Sequence, residues 1–316
     1  MKIAKLEGLI AAPFTPMNED GSINLEIIES YYLALKSNGV KGAFICGSTG
    51  EGVSMTFEEK KAVYKAWAKC TRGNDDFKVM AFLGGICIQD CIELAKYAEE
   101  VGLYAVSFTS PFYFKPASVE ILAKACIEVA AAVPNMPFYY YHIPVLTGVG
   151  YSMFSLLQEI DGKIENFAGV KYTHEDFMDF QSCMNFNNSK YDMLWGRDEN
   201  MLSALVLGTK GAVGSTFNYA APLYHKLISS FEKNDLKTAA NLQQKSIDMI
   251  RLLGKYGGIS VGKSYMKLTG IDCGEFRSPV KNMSQSDYEK FKEDVNSLNF
   301  DEFKSDFSKS SLHLIE

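Results

Sequence analysis

The feature that most constrains this chain is an alternation repeated eight times: a short apolar run rich in Val, Ile and aromatic residues, then a longer stretch with helical spacing. The runs are LEGLIAAPF (6–14), GAFICG (42–47), FKVMAFLG (77–84), YAVSFTS (104–110), PFYYYHIP (137–144), NFAGVKYT (166–173), DMLWG (192–196) and GAVGST (211–216). Helical periodicity covers 24–38, 56–71, 89–101, 118–133, 151–160, 175–185 and 199–208 between them, and Thr56 with Glu59 three residues later forms a capping box at the second start. Nearly continuous apolar strands separated by helices belong on a parallel sheet covered on both faces. The spacing predicts an α/β fold, a (β/α)8 TIM barrel, because closure removes both sheet edges. An open doubly wound sheet is the rival arrangement of the same units.

Past residue 218 the alternation stops. The runs 220–233, 235–256, 261–269 and 286–296 have helical spacing with no strand between them, and Ser286 with Glu289 reads as a second capping box. The chain therefore divides into a barrel over 1–218 and a C-terminal helical extension over 219–316, packed on the barrel as one structural unit. The tail 300–316 alternates charge with Phe and Leu too weakly to assign.

With 316 residues and 47% hydrophobic content, the chain has material for one large core. Its 32 Lys and Arg against 38 Asp and Glu give a formal net charge of -6, with no basic run or Arg-rich stripe, which argues against a nucleic-acid partner. An anionic ligand must then be held by local groups. The first apolar run, Leu9 to Ala12, is too short for a signal peptide, and nothing later approaches a membrane span, so the expectation is a soluble cytoplasmic protein. Seven cysteines are scattered, with no CxxC pair and no histidine spaced to share a metal; they read as reduced thiols and no metal site is expected.

In a barrel, chemistry gathers where strands end and βα loops begin. That rule selects Ser48, Thr49 and Glu51 after the second strand, Tyr113 after the fourth, Tyr141 at the fifth, Lys171 and Thr173 at the sixth, Asp198 and Glu199 after the seventh, and Ser215 at the eighth. Lys171 closes an apolar strand, where burial would disfavour the ammonium form and leave an amine able to attack a carbonyl. A lysine in that place can also snorkel to water, and position alone does not choose between the two. GSTGEG (47–52) combines turn glycines, two hydroxyls and exposed backbone N–H groups, a nest for a carboxylate or simply a turn. One tyrosine of YYYHIP needs to face the site for its phenol to relay a proton; the others read as strand packing. Asp198 and Glu199, in the first turn of a helix, either complement its dipole or accept hydrogen bonds from sugar hydroxyls. His142 and His174 sit beside site positions without ligand spacing.

GGISVGKS (257–264) fits the nucleotide-binding pattern G-x-x-x-x-G-K-[ST] through Gly257, Gly262, Lys263 and Ser264. That motif requires a strand before it, and the helical run NLQQKSIDMIRLLGKY precedes it here, so it reads as a glycine-rich turn between helices.

GSTGE, YYHIP, GVKYT, GRDE and GAVGSTFN, in this order and at these intervals, resemble the pyruvate-dependent class I aldolases of the dihydrodipicolinate synthase and N-acetylneuraminate lyase superfamily over essentially the whole chain. The likeness is closer to the lyase branch. HIPVLTG carries Leu146 about where the synthases typically carry an arginine, and the Asp198–Glu199 pair resembles lyase residues that hold the polyhydroxy tail of a sialic acid; His142 stands where Asn is common. The resemblance implies that Lys171 forms an iminium with the keto carbon of a sialic acid, with Tyr141 beside it as proton shuttle. Ser48 and Thr49 would hold the carboxylate, with Ser48 also joining a hydroxyl relay to Tyr141. Tyr113 would reach a neighbouring subunit's site in a homotetramer, and Thr173, Gly196, Asp198, Glu199 and Ser215 would line the sugar end. The reaction so implied is cleavage to N-acetylmannosamine and pyruvate without a cofactor. Alternatives are a dihydrodipicolinate-synthase-like or other pyruvate-dependent 2-keto-acid aldolase, a non-enzymatic sugar-acid binder on the same barrel, and a P-loop nucleotidase using Lys263.

Overall fold

The computed structural model describes residues 4–307. All eight predicted strands are present: β1 (Gly8–Ala11), β2 (Gly42–Ile45), β3 (Lys78–Gly84), β4 (Ala105–Thr109), β5 (Phe138–His142), β6 (Phe167–Tyr172), β7 (Asp192–Trp195) and β8 (Gly211–Gly214). They pair in parallel in sequence order, and β8 returns to β1 with Gly8 opposite Gly211, so the sheet is a closed barrel and the open-sheet alternative is excluded. The helices are α1 (Ile27–Ser37), α2 (Phe57–Thr71), α3 (Ile88–Glu100), α4 (Val119–Ala130), α5 (Pro144–Thr147), α6 (Met153–Ile160), α7 (Phe177–Asn185), α8 (Met201–Val206), α9 (Phe217–Glu232), α10 (Leu236–Tyr256), α11 (Val261–Thr269) and α12 (Gln285–Ser297). Residues 308–316 of the expected C-terminal extension lie outside the described residues.

Strand periodicity separates two apolar layers. Ile10, Phe44, Met80, Phe82, Tyr139, Tyr141, Leu194 and Val213 point into the barrel and pack on one another. Their alternates, such as Val79, Val106, Tyr140, Val170 and Trp195, face outward into the larger layer beneath the helices. On that outer side Trp195 stacks on Phe177 at 5.2 Å and meets Phe180 edge-on at 4.9 Å, geometries worth about 0.5–1.5 kcal/mol each beyond simple burial.

Several local expectations need correction. The Thr56–Glu59 capping box forms, with Glu59 N donating to Thr56 Oγ1 and Thr56 N to Glu59 Oε2. The second predicted box does not: α12 starts earlier, and Ser284 caps it by accepting from Asp287 N, while Glu289 accepts from Gln285 instead. The fifth strand stops at His142, because Pro144 lacks an N–H and its fixed φ suits the first position of the short helix α5. The acidic pair 198–199 forms a 3-10 turn ahead of α8 and not the first turn of that helix. Helix α9 begins three residues before the predicted run, with a break in helical geometry at Ala220 just before Pro222. Of GGISVGKS only residues 257–260 form the turn between α10 and α11; Val261 to Ser264 are the first turn of α11, and a helix, not a strand, precedes the motif.

Candidate active site

Tyr141 on β5 is in register with Lys171 on β6, so the two side chains enter the barrel together at its C-terminal end. Lys171 is 4% exposed, and its Nζ lies 3.8 Å from the Phe44 ring centre and 4.0 Å from that of Tyr141. Burial lowers its pKa to about 7, opposed more weakly by the carboxylate of Asp198. At neutral pH about half of the amine is therefore in the unprotonated, nucleophilic form. The snorkelling alternative fails here, since the head group stays inside the barrel between two rings.

Burial pushes the Tyr141 phenol up to about 12, and the hydroxyls of Ser48 and Thr173 hold part of that rise down. The phenol thus keeps its proton at neutral pH. Its ring is fixed edge-on to Phe44 at 5.3 Å and to Phe82 at 5.7 Å. Ser48 is partly exposed and Thr49 buried in the turn that follows β2. Thr173 stands just beyond β6, its N–H donating to His142 O, and its buried Oγ1 is directed at the Tyr141 phenol. A β-carbon at Gly196 would overlap that same Oγ1, so glycine is what lets the β7 end approach β6.

Asp198 and Glu199 separate in role. Asp198 is 6% exposed, and its Oδ2 accepts from Thr216 N at 2.9 Å and Thr216 Oγ1 at 2.6 Å. Burial nevertheless raises its carboxyl to about 7, against the lowering effect of Thr216. A β-carbon at Gly214 would overlap Asp198 Oδ1, which is why β8 ends in glycine. The backbone N–H and the hydroxyl of Thr216, at the start of α9, hold this acid, and not the dipole of the helix that follows it. Glu199 lies nearer the rim and pairs with Arg197 at 2.7 Å, while Arg197 reaches Glu175 at 2.7 Å. Ser215 is partly exposed directly after β8.

Not every selected residue joins this cluster. Tyr113 is 77% exposed and edge-on to Phe114, itself 87% exposed. Glu51 turns away from the mouth to pair with Lys263. His142 is buried on the outer side of β5 against Tyr172, with its pKa lowered to about 4 by burial and then by His174, so it is neutral at pH 7. No group of three or more His, Cys, Asp or Glu among the described residues is arranged to hold a metal, and no described helix is long and apolar enough to cross a membrane. A separate cleft of about 920 Å³, lined by Lys263 and Ser264 of the nucleotide-like motif with Asp20, Lys267, Asp272 and Arg277 among others, contains none of the residues at the strand ends.

The sequence reading missed Phe44, whose ring floors the amine, and Thr216, which anchors Asp198. Phe44 is one apolar residue among many in its strand, and only closure of the barrel brings β2 and β6 face to face. Thr216 had a usable signal, since it follows the flagged Ser215 at a strand end.

The likeness to known proteins runs the length of the barrel. The model of the dihydrodipicolinate synthetase family matches residues 5–298. Human N-acetylneuraminate lyase is 40% identical over 304 residues, covering 94% of this chain and 93% of the human protein. Among solved structures, Proteus mirabilis N-acetylneuraminate lyase superposes with a TM-score of 0.91 at 38% identity, over 94% of this chain and all of that one. A dihydrodipicolinate synthase superposes with a TM-score of 0.84 at 25% identity, over 93% of this chain and all of that one. Because the matched span leaves no strand of the barrel outside it, the chain belongs to the dihydrodipicolinate synthetase family.

Proposed function

We propose that this protein is a Schiff-base lyase that cleaves N-acetylneuraminate reversibly to N-acetylmannosamine and pyruvate. The observation that carries the chemistry is the half-deprotonated amine of Lys171, held between two aromatic rings beside a tyrosine and two hydroxyls. The choice of substrate rests on the relatives: identity is 40% to the human and 38% to the Proteus mirabilis N-acetylneuraminate lyase, against 25% to the dihydrodipicolinate synthase, while the Mycoplasma synoviae lyase stands at 28%.

Lys171 attacks the keto carbon of the open-chain sugar acid, and loss of water gives a protonated imine. That imine is the electron sink for breaking the adjacent C3–C4 bond. The proton of the C4 hydroxyl must leave as the bond breaks. A phenol that is protonated at rest cannot take it unaided, so Tyr141 accepts it while passing its own proton to the substrate carboxylate. The aldehyde N-acetylmannosamine departs, C3 of the enamine takes up a proton, and hydrolysis of the imine releases pyruvate and restores the amine.

Ser48 and Thr49 hold the carboxylate, with Ser48 in the relay to Tyr141. The Oγ1 of Thr173, the backbone at Gly196, the carboxylates of Asp198 and Glu199, and Ser215 receive the polyhydroxy tail. Tyr113, exposed on its own chain, extends into the site of a neighbouring subunit in a homotetramer. Cytoplasmic placement agrees with seven cysteines that are all free thiols.

Borohydride reduction in the presence of pyruvate, followed by peptide mass analysis, tests the assignment: the adduct is expected on Lys171. Lys171→Ala should lose both the adduct and sialic acid cleavage while remaining folded. Turnover retained by that variant would refute the mechanism.

A further inference from the structure

We propose that Glu51 and Lys263 are positioning residues: their buried ion pair locks the turn carrying Ser48 and Thr49 onto the C-terminal helices, and so sets the affinity for the 2-keto acid carboxylate. This rests on the reading of Ser48 and Thr49 given above.

The pair spans 2.9 Å, and both side chains are 3% exposed. Each partner is tied further. Glu51 Oε2 accepts from Arg277 N at 2.8 Å, and Lys263 Nζ donates to Glu275 O at 2.9 Å. The turn itself is tightly folded. Glu51 N donates to Ser48 O, Gly52 N to Gly47 O, and Thr15 Oγ1 to Gly50 O at 2.7 Å. A β-carbon at Gly52 would overlap Cys46 O, so the chain doubles back on itself within the span that holds both hydroxyls.

Two features here are unfavourable taken singly. Glu51 has φ 58, a left-handed conformation that costs a non-glycine residue about 1 kcal/mol or more. A buried ion pair, for its part, seldom stabilises a fold more than well-packed apolar side chains would. Both are tolerable where the surroundings over-determine the geometry, which is the condition a rigid anion nest needs. The direction of the tie also matters. Ser48 approaches Tyr141 in the mouth, while Glu51, three residues later, points away from it, so α11 and the 275–277 segment grip the turn from behind without occupying the substrate space.

The same geometry accounts for the nucleotide-like sequence in this region. Gly262 is required because a β-carbon there would strike the Phe14 ring, which lets α11 lie close against the segment after β1. Lys263 then reaches Glu51. Glycine and lysine in GGISVGKS serve the neighbouring turn and not a phosphate.

The test reads pyruvate binding directly, as the pyruvate concentration giving half-maximal borohydride trapping, alongside kcat and KM for sialic acid cleavage. Glu51→Gln keeps the shape and the acceptor for Arg277 N, and leaves Lys263 free to lose its proton, as burial already favours. It should raise half-saturating pyruvate about tenfold, the equivalent of one charge-assisted hydrogen bond, and raise KM more than it lowers kcat. The double variant Glu51→Gln with Lys263→Met leaves no uncompensated buried charge, so it provides the same readout should the single variant fail to fold. Folded variants whose half-saturation shifts less than threefold, or that lose kcat alone, would overturn the positioning role while leaving the lyase reading intact. If the parent protein itself traps no pyruvate, the lyase reading fails first and this inference with it.

Discussion

Replacing Lys171 by Met tests the reasoning about the site through stability, independently of any substrate. Methionine has nearly the length of lysine and no charge, and the residue it would replace is 4% exposed against the rings of Phe44 and Tyr141. The folded lysine titrates at about 7 against 10.5 for the ordinary side chain. Below pH 7 both folded and unfolded chains carry the proton, and the native state bears the full burden of a buried ammonium. At about 1.4 kcal/mol for each tenfold displacement, that burden is on the order of 5 kcal/mol. Between pH 7 and 10.5 the native amine is neutral while the unfolded one is still protonated. The unfolded state then binds more protons, so stability of the parent rises with pH across this window, and above 10.5 the burden is gone. The Lys171→Met variant should therefore be more stable than the parent by a gap that is largest below pH 7 and narrows steadily towards pH 10.5. Urea unfolding of both proteins at pH 6, 8, 9 and 10 measures it, and comparing the two cancels the titrating groups other than Asp198, the carboxylate coupled to this amine. A gap that is absent, or that widens as pH rises, would show that the amine is not desolvated as the geometry requires.

Gly214→Ala puts a methyl where Asp198 Oδ1 lies, and should lower kcat/KM for sialic acid by about a hundredfold, a typical penalty for shifting a site residue by an ångström; activity within threefold of the parent would contradict the assignment of Asp198 to the substrate. At the opposite end of the barrel, Asp192 is buried with its carboxyl raised to about 6, and a single oxygen, Oδ2, accepts from both Leu6 N and Tyr139 Oη. An amide oxygen can replace it, so Asp192→Asn should stabilise the fold by on the order of 3 kcal/mol above pH 6; because the folded pKa lies above the unfolded one, that gain fades as pH falls towards 3.8, which urea midpoints against pH will show. Thr56→Ala removes the cap of α2 and should cost about 1 kcal/mol of unfolding free energy, with trapping of pyruvate unchanged; an unchanged denaturation midpoint would mean the cap contributes nothing here.

Much of the site could be read before folding because barrel strands are short, apolar on both faces and end where chemistry begins. Lys171, Tyr141 and Asp198 were each conspicuous as a polar residue closing such a strand, and a strand's end can be located from one apolar run. What the sequence reading misplaced were local boundaries decided by competition between caps. Ser284 captured the start of α12 from Ser286, and Pro144 turned the end of β5 into a helical turn. Its larger omission concerned relations across the fold. Phe44 lies 127 positions before Lys171, and Glu51 lies 212 before Lys263, separations over which no periodicity carries information.

The sequence by itself determined the eight βα units, the helical run that follows them, and the identity of the groups at the strand ends, because periodicity and turn chemistry are local. Only the tertiary structure decided that the sheet closes, that Lys171 rests on Phe44 with half its charge removed, and that Asp198 belongs to Thr216 while Glu51 belongs to Lys263. Those outcomes depend on desolvation and on which side chains meet across the barrel. Both are properties of a closed three-dimensional surface, and a linear pattern does not contain them.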